Sequence, residues 1–152
     1  MYYDRRAVAE AARLRPIAPP TAEVHSASSA LAKLLYLQHA LPRDTAHALH
    51  QADWIAGKLS GNFGCRDENN ALKLGYEPVK RCWPNWLQSS PVAHHLLPEV
   101  LPVGERSGML RAELGQRWQC RQAVAILAGT TDSNAATLAS GIRQAGEAST
   151  AL

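Results

Sequence analysis

Residues 123–141 read Ala123-Val-Ala-Ile-Leu-Ala-Gly-Thr-Thr-Asp132-Ser-Asn-Ala-Ala-Thr-Leu-Ala-Ser-Gly141. An apolar run of strand length, Ala123 to Ala128, is followed by a turn of small hydroxyl residues that ends in Asp132, and then by an alanine-rich, helix-prone segment. This order places Asp132 at the carboxyl end of a strand, where open α/β sheets form their ligand crevices. A carboxylate there can act as a base, or it can cap the helix by accepting hydrogen bonds from the backbone N–H groups of Asn134 or Ala135. The local sequence leaves both roles open.

The composition is that of one globular domain. The 152 residues are 46% hydrophobic and 19% charged, which suffices for a single core and shows no bias towards disorder. The formal net charge of +3 comes from Lys and Arg residues that are scattered singly, without the clustered basic stripe of a nucleic-acid-binding surface. We therefore expect no nucleic-acid partner.

Cysteine usage and hydropathy indicate the compartment. Cys65, Cys82 and Cys120 are odd in number and far apart, which predicts neither a disulfide framework nor a Cys-x-x-Cys site and is typical of reduced thiols in the cytoplasm. No stretch approaches the roughly 18 apolar residues of a membrane-spanning helix, and the first residues lack the apolar core of a signal peptide. The sequence therefore predicts a cytoplasmic protein that makes no membrane contact.

Asp4 and Arg6 stand just before the first predicted helix, a helix-prone run from Ala7 to Arg15 that Pro16 stops. On local sequence, Asp4 is a helix cap and Arg6 is a solvated helix residue. Both residues also fall on a motif that is described below.

A second helix is predicted from Ala30 to about Ala40, after a proline-containing loop over residues 16–27 and with Ser28 or Ser29 as its cap. A third is predicted from Thr45 to about Leu59. We expect Asp44 to cap the third helix and Gly61 to end it. The apolar face of the second helix should consist of Leu31, Leu34, Leu35 and Leu37. That of the third should consist of Ala46, Leu49, Ala52, Ile55, Ala56 and Leu59.

His47, His50 and Asp53 lie three residues apart on the predicted third helix. Their side chains are those of metal ligands, but a period of three drifts around a helix and no fourth ligand is nearby. We therefore expect a mixed polar face and no metal site.

The most specific wording lies in residues 63–87, from Phe63-Gly-Cys-Arg-Asp67 through Asn69-Asn70-Ala-Leu-Lys-Leu-Gly-Tyr76 to Trp83-Pro-Asn-Trp86-Leu. We expect Asp67, Asn69 and Asn70 to hold a polar loop together and the two tryptophans to anchor it by packing. Further along, the sequence predicts a bend over Pro98–Gly104 that leads into a strand, a brief helix from Ala112 to about Gln119, and a last helix from residue 133 to about 145.

Four segments resemble, in the same order, motifs of the FGGY carbohydrate kinases. Tyr2-Tyr3-Asp4-Arg5-Arg6-Ala7 is similar to Tyr/Trp-Asn-Asp-x-Arg-Ala, with Tyr3 where the family has Asn. The other three are Asp53 to Gly61 (Asp-Trp/Tyr-x-x-x-x-Leu-x-Gly), Leu97 to Gly104 (Leu-Pro-x-Val-x-Pro-x-Gly) and Gly129 to Ala136 (Gly-x-x-Asp-x-x-Ala-Ala). The wording of residues 63–87 resembles the ribulokinase and sedoheptulokinase-like branch, in which D-ribulose is an acceptor.

This resemblance implies an α/β fold, part of an actin-like (ribonuclease H-like) N-terminal domain of a sugar kinase, helix-rich as truncated. It implies that Asp132 takes the proton from the sugar hydroxyl that attacks the γ-phosphate of ATP. It also implies that Asp4, Arg6, Thr131 and Ser133 bind the ketose, of the D-ribulose or D-xylulose type.

The resemblance further implies that residues 1–152 are a partial sugar-binding domain. In a complete family member the first phosphate-loop strands precede this region and a whole C-terminal domain follows it, and those parts supply the main loops for ATP and Mg²⁺. Because a lone base contributes only about 10² to 10⁴-fold to a reaction that depends on positioning and charge neutralisation, we expect the chain alone to be nearly inactive.

Three interpretations follow from these motifs. The chain is part of a ketose kinase, with the missing kinase domains as a possible complementing chain and an unpaired apolar sheet edge that favours self-association. Alternatively it is a non-catalytic sugar-binding or interaction module that keeps Asp4, Arg6 and Asp132 as pocket residues. Lastly, it is a small α/β protein whose capping carboxylates have no chemical role.

Overall fold

The computed structural model describes residues 4–144 and 146–147, with helices and short strands mixed along the chain. In chain order the elements are α1 (Val8–Leu14), α2 (Ala30–Leu37), α3 (Gln51–Ser60), β1 (Cys65–Asp67), α4 (Glu68–Ala71), α5 (Asn85–Gln88), β2 (Glu99–Leu101), β3 (Arg106–Met109), α6 (Ala112–Arg117), β4 (Ala125–Leu127) and α7 (Asp132–Ala139). Single 3₁₀ turns lie at Gln38–Ala40, Leu72–Leu74 and His94–Leu96.

Helix α2 is the centre of the hydrophobic core. The hydroxyl of Ser29 caps it by accepting a hydrogen bond from the backbone N–H of Ala32 at 3.2 Å, as predicted. The predicted apolar face is confirmed for three of its leucines, whereas Leu37 is exposed. The side chains buried most completely in the core are those of Leu14, Val24, Leu31, Leu35, Leu87 and Leu96.

The two tryptophans of the 63–87 block pack against this core, which confirms their predicted role as anchors. The ring of Trp83 meets that of Tyr76 edge to face, with 5.1 Å between the ring centres. Trp86 lies over Gly75, where the backbone φ of +93° and the nearby indole both favour a residue without a side chain.

The prediction for the third helix is wrong in its first half. Helix α3 begins at Gln51, and its cap is His50, not Asp44. Residues before it have other backbone partners, because the N–H of Ala48 donates to the carbonyl of Leu96 at 3.0 Å and its carbonyl accepts from Arg66. The predicted end at Gly61, with φ of +84°, is confirmed.

The apolar face predicted for α3 is also wrong. Ala52 and Ile55 are exposed, and the buried residues of the helix are Asp53 and Gly57. The side of the helix that faces the interior therefore carries Asp53, whose charge has a buried partner, and Gly57, which allows another segment to approach closely.

Two short sheets join the second half of the chain to α3 and α4. Strand β1 pairs with β2 in parallel, and β3 pairs with β4 in antiparallel with an irregularity between Arg106 and Gly108. The amide of Asn62 links the two sheets by donating to the carbonyl of Ser107 at 3.0 Å. The predicted helix after residue 111 is confirmed as α6.

The predicted strand and last helix are confirmed in shorter form, as β4 and α7. Helix α7 ends at Ala139, well before the predicted residue 145, which lies outside the described residues. Within the described ranges, no helix is long and apolar enough to cross a membrane.

Candidate active site

The turn between β4 and α7 presents the Asp132 carboxylate to solvent. Thr131 is the cap of α7, because its hydroxyl oxygen accepts a hydrogen bond from the backbone N–H of Asn134 at 3.3 Å. Asp132 is the first residue of the helix and its carboxylate accepts from the N–H of Ser133 at 2.9 Å. The alternative of Asp132 as the cap is therefore wrong, and most of its carboxylate is left for another partner.

The predicted substrate residues around Asp132 lie in the same turn. The hydroxyl of Thr131 uses an oxygen lone pair for the cap and keeps its own proton. The hydroxyl of Ser133 lies 3.5 Å from the Asp132 carboxylate. This places small donors on both sides of one carboxylate.

Asp4 and Arg6 form a pair at the other end of the described chain. The guanidinium of Arg6 donates to both carboxylate oxygens, at 2.8 and 3.0 Å, and the backbone N–H of Arg6 donates at 3.1 Å. These bonds hold the pKa of Asp4 well below its usual range and raise the pKa of Arg6. Arg6 also lies over the ring of Tyr36, 5.3 Å from its centre.

The local interpretation of this pair is wrong in both respects. Helix α1 begins at Val8 with Ala7 before it, so Asp4 does not cap the helix and Arg6 is not part of it. Among the described residues, no hydrogen bond or ion pair joins the Asp4–Arg6 pair to the Asp132 turn. Each of the two predicted groups is therefore held by its own hydrogen bonds.

The charge of Lys33, on α2, acts on groups from two parts of the chain. The positive charge of Lys33 contributes to lowering the pKa of Asp4, and it acts in the same direction on His50. His50 is also influenced by Lys73 and Asp67, which follow and precede α4.

The polar loop before α4 is held together as predicted for Asp67 and Asn70. The Asp67 carboxylate accepts from the backbone N–H of Asn70 at 2.9 Å and from its side-chain amide at 2.8 Å, and the ammonium of Lys73 donates to the Asn70 carbonyl oxygen at 3.2 Å. Both Asp67 and Asn70 are buried. Their architectural role is confirmed.

Asn69 differs from its neighbours, because its amide leaves the loop and donates to the Thr130 hydroxyl at 2.8 Å. This bond connects the most specific sequence block to the turn that carries Asp132. Sequence reasoning missed it, since 61 residues separate the partners and neither shows a local pattern that points to the other.

A buried ion pair lies beneath α3. The guanidinium of Arg66 donates to the Asp53 carboxylate at 2.7 Å and to the Ala48 carbonyl at 3.0 Å, and the backbone N–H of His50 donates to the same carboxylate at 3.0 Å. Asp53 is thus occupied by structural partners, and no three His, Cys, Asp or Glu side chains of the described residues are placed to hold a metal ion. Arg66 was not singled out by the sequence.

A surface cleft of about 350 Å³ lies elsewhere in the molecule. Its walls include Pro19, Glu77, Lys80 and Trp86, and it contains none of the predicted site residues. It does not change the assignment of the candidate site to the Asp132 turn.

The fold is that of part of an actin-like (ribonuclease H-like) domain, as found in two solved sugar kinases. A xylulose kinase from Rhodospirillum rubrum superposes with a TM-score of 0.78 over 96% of the chain, and a xyloylose kinase from Brucella ovis with 0.76 over 89%, at 22% and 21% identity. The chain covers 32% and 29% of those two structures.

Sequence similarity leads to the same class. The chain is 26% identical over 116 residues to the xylulose kinase of Lactococcus lactis, and 30% identical over 126 residues to the autoinducer-2 kinase of Yersinia enterocolitica. These alignments take in 74% and 80% of this chain but 23% and 24% of the relatives. No protein-family model matches the chain. Over most of its length the chain is similar to part of these carbohydrate kinases, and the resemblance to the FGGY family found in the sequence is confirmed.

Proposed function

We propose that this domain belongs to an ATP-dependent carbohydrate kinase that phosphorylates a ketose of the D-ribulose or D-xylulose type, with Asp132 as the general base. The observation that supports this role is the position of Asp132 at the end of β4, with the helix cap supplied by Thr131 instead. The exposed carboxylate can accept the proton of a sugar hydroxyl as that oxygen attacks a phosphoryl group. The relatives named xylulose kinase support a ketose as substrate.

In this proposal the remaining site residues bind the sugar. Thr131 and Ser133 offer hydroxyl protons beside the base, and the Asp4–Arg6 pair offers both acceptor and donor atoms to sugar hydroxyls. Because a missing hydroxyl leaves such polar groups unpaired, these residues would discriminate between ketoses.

ATP and Mg²⁺ would supply the phosphoryl group and neutralise its charge. Mg²⁺ that is bound with a nucleotide needs only one or two protein carboxylates besides the phosphate oxygens. In this proposal further kinase segments, as a possible complementing chain, supply the main loops of the nucleotide site. In this proposal residues 1–152 are a partial sugar-binding domain, nearly inactive alone, and three free cysteines agree with a cytoplasmic setting.

The test is a chimera in which this chain replaces the matching part of a xylulose kinase. The Asp132→Asn variant should lower kcat for D-ribulose or D-xylulose by about 10² to 10⁴-fold, the contribution of a general base, with a smaller change in KM. Asp44→Asn, which changes an exposed carboxylate in a loop, is the matched control. Equal kcat for the Asp132 variant and its parent would exclude Asp132 as the base.

A non-catalytic sugar-binding or interaction module is the second candidate. It is favoured by the bidentate pairing of Asp4 with Arg6, which forms a polar group that suits sugar hydroxyls without any nucleotide. Calorimetric titration of the isolated chain with D-ribulose or D-xylulose, without nucleotide, tests it. Heat of binding would favour the module, and its absence at millimolar sugar would remove it.

A further inference from the structure

The Asn69–Thr130 hydrogen bond has a particular position in the chain. In the part of the chain that the structure describes, it is the last hydrogen bond that joins residues from Gly129 onward to any earlier segment. Just before it, Ala128 bonds to both Glu105 and Gly104 through its backbone, at 2.7 and 2.8 Å. After it, the bonds of the turn and of α7 are local. Within the described residues, Asn69 thus supplies the hydrogen bond by which an earlier segment contacts the Asp132 turn.

Asn69 projects from a rigid base. It is the second residue of α4, next to Asn70, which two hydrogen bonds attach to the buried carboxylate of Asp67. Thr130, its partner, stands two residues before Asp132 and is half-buried, whereas Gly129 and all residues of α7 are exposed. A side chain on a fixed element thus holds a turn that has little packing of its own.

The direction of the bond adds a chemical consequence. The Asn69 amide is the donor, so the Thr130 hydroxyl acts as acceptor and keeps its own proton. That proton is left to be donated to another acceptor. An aspartate at position 69 has nearly the same shape as asparagine, but its carboxylate can only accept. The Thr130 hydroxyl would then donate its proton to position 69.

We propose that Asn69 is a positioning residue, which holds the 129–132 turn through Thr130 so that the Asp132 carboxylate and the Thr130 hydroxyl face one ketose hydroxyl. This inference rests on the proposed function of Asp132. Asn69 itself does not touch the sugar, and it acts by fixing the turn and by setting the polarity of the threonine hydroxyl.

The first measurement is made on the intact chain without ligand. In ¹H–¹⁵N NMR spectra the side-chain amide of Asn69 should show the shifted, inequivalent proton pair of a bound amide. Thr130→Val should return these signals to the values of a free amide, and Thr130→Ser should restore the shift. An unshifted amide in the wild-type chain would overturn the proposal.

The second measurement titrates D-ribulose and D-xylulose into the same samples and follows the backbone signals of residues 129–133. Asn69→Ala and Asn69→Asp should each weaken ketose binding by roughly five- to tenfold, the effect of one hydrogen bond, with an unchanged melting temperature. Thr130→Ser should bind as the wild type does. Asn85→Ala, which removes an exposed amide on α5, is the control.

The two proposals fail in different ways. If the wild-type chain binds neither ketose but Asn69→Ala displaces the signals of residues 129–133 and Thr130→Ser preserves them, the ketose assignment fails and Asn69 still positions the turn. If the wild type binds a ketose and Asn69→Ala binds it equally well, the role of Asn69 is excluded and the proposed substrate stands.

Discussion

Arg66 and Asp53 form an ion pair whose side chains are only 1% and 3% exposed. Burial raises the pKa of the Asp53 carboxyl, and the nearby guanidinium opposes this effect. Removing one partner of such a pair leaves an uncompensated charge in the interior. The pair therefore fixes the start of α3 against β1, and the second bond of Arg66 holds the segment that carries Ala48.

Replacing Arg66 should destabilise the protein strongly. We expect Arg66→Met to lower the free energy of unfolding by about 3–5 kcal/mol, because it leaves Asp53 buried without its partner. Urea unfolding followed by tryptophan fluorescence measures this change. Arg117→Met, which alters an exposed arginine on α6, should stay within about 0.5 kcal/mol of the wild type. Equal losses for the two variants would contradict a structural role of the pair.

The imidazole of His50 gives the fold a pH dependence. Burial lowers its pKa from 6.5 to about 4, and the positive charges of Arg66 and Lys73 act in the same direction. Between these two values the unfolded chain binds a proton that the folded chain excludes, so stability is complete above about pH 6.5 and falls as the pH drops towards 4.

His50→Gln should remove part of this acid sensitivity. The expected difference is of the order of 1–2 kcal/mol, because the ring is only partly buried and the full shift overstates the effect. The check is the urea midpoint measured at several pH values between about 4.5 and 7. His47→Gln changes an exposed histidine of the same segment and should retain the wild-type slope. If the urea midpoints of the wild type and both variants changed with pH in parallel, His50 would be excluded as the source of the acid sensitivity.

At the scale of the element, Gly57 determines how α3 is seated. A Cβ built at this position would overlap the ring of Phe63. Gly57→Ala gains about 1 kcal/mol of helix propensity but loses about 1–3 kcal/mol to overpacking, so the net result should be destabilisation. Gly115→Ala, in α6, meets no atom within 4 Å and should stabilise the protein by up to about 1 kcal/mol. Thermal unfolding measures both variants. If packing against Phe63 were unimportant, both substitutions would change the melting temperature in the same direction.

Local signals predicted the elements whose bonds are local. Helix α2 has its cap and its apolar face within one segment, and the β4–turn–α7 unit follows from an apolar run and small hydroxyl residues. The beginning of α3 could not be predicted in this way, because the backbone of Ala48 forms hydrogen bonds with Leu96 and Arg66, which are distant in sequence. In the candidate site, the sequence placed Asp132 in the turn before the last helix, as the structure does, but it offered Asp132 as the helix cap where Thr131 is the cap. The Asn69–Thr130 contact has no local sequence signal.

At the scale of the whole molecule, β4 is a partly open edge. In the described part of the chain it pairs with β3 alone. Several apolar side chains around this sheet are exposed: Met109, Trp118, Val124 and Leu127. An open strand beside exposed apolar groups is a template for pairing with another chain.

We propose that the chain associates with itself through this edge. Sedimentation velocity over a range of concentrations should show a species larger than the monomer, and Leu127→Lys should shift the distribution towards the monomer. Val79→Lys is the matched control, because Val79 is 89% exposed in a loop outside the sheet. A wild-type chain that sediments as a clean monomer and melts cooperatively would refute the proposal.

Helix α7 has only eight residues, and all of them are exposed. A helix of this length is marginal in water without packing, so we expect α7 to open as a cooperative unit of its own, at a far lower free energy than the core. Amide exchange in α7 should therefore be insensitive to low denaturant, whereas exchange in α2 should follow global unfolding. On this expectation the residue proposed as the base belongs to a weakly protected part of the described chain, and a surface that covers α7 would stabilise it without changing the rest of the fold.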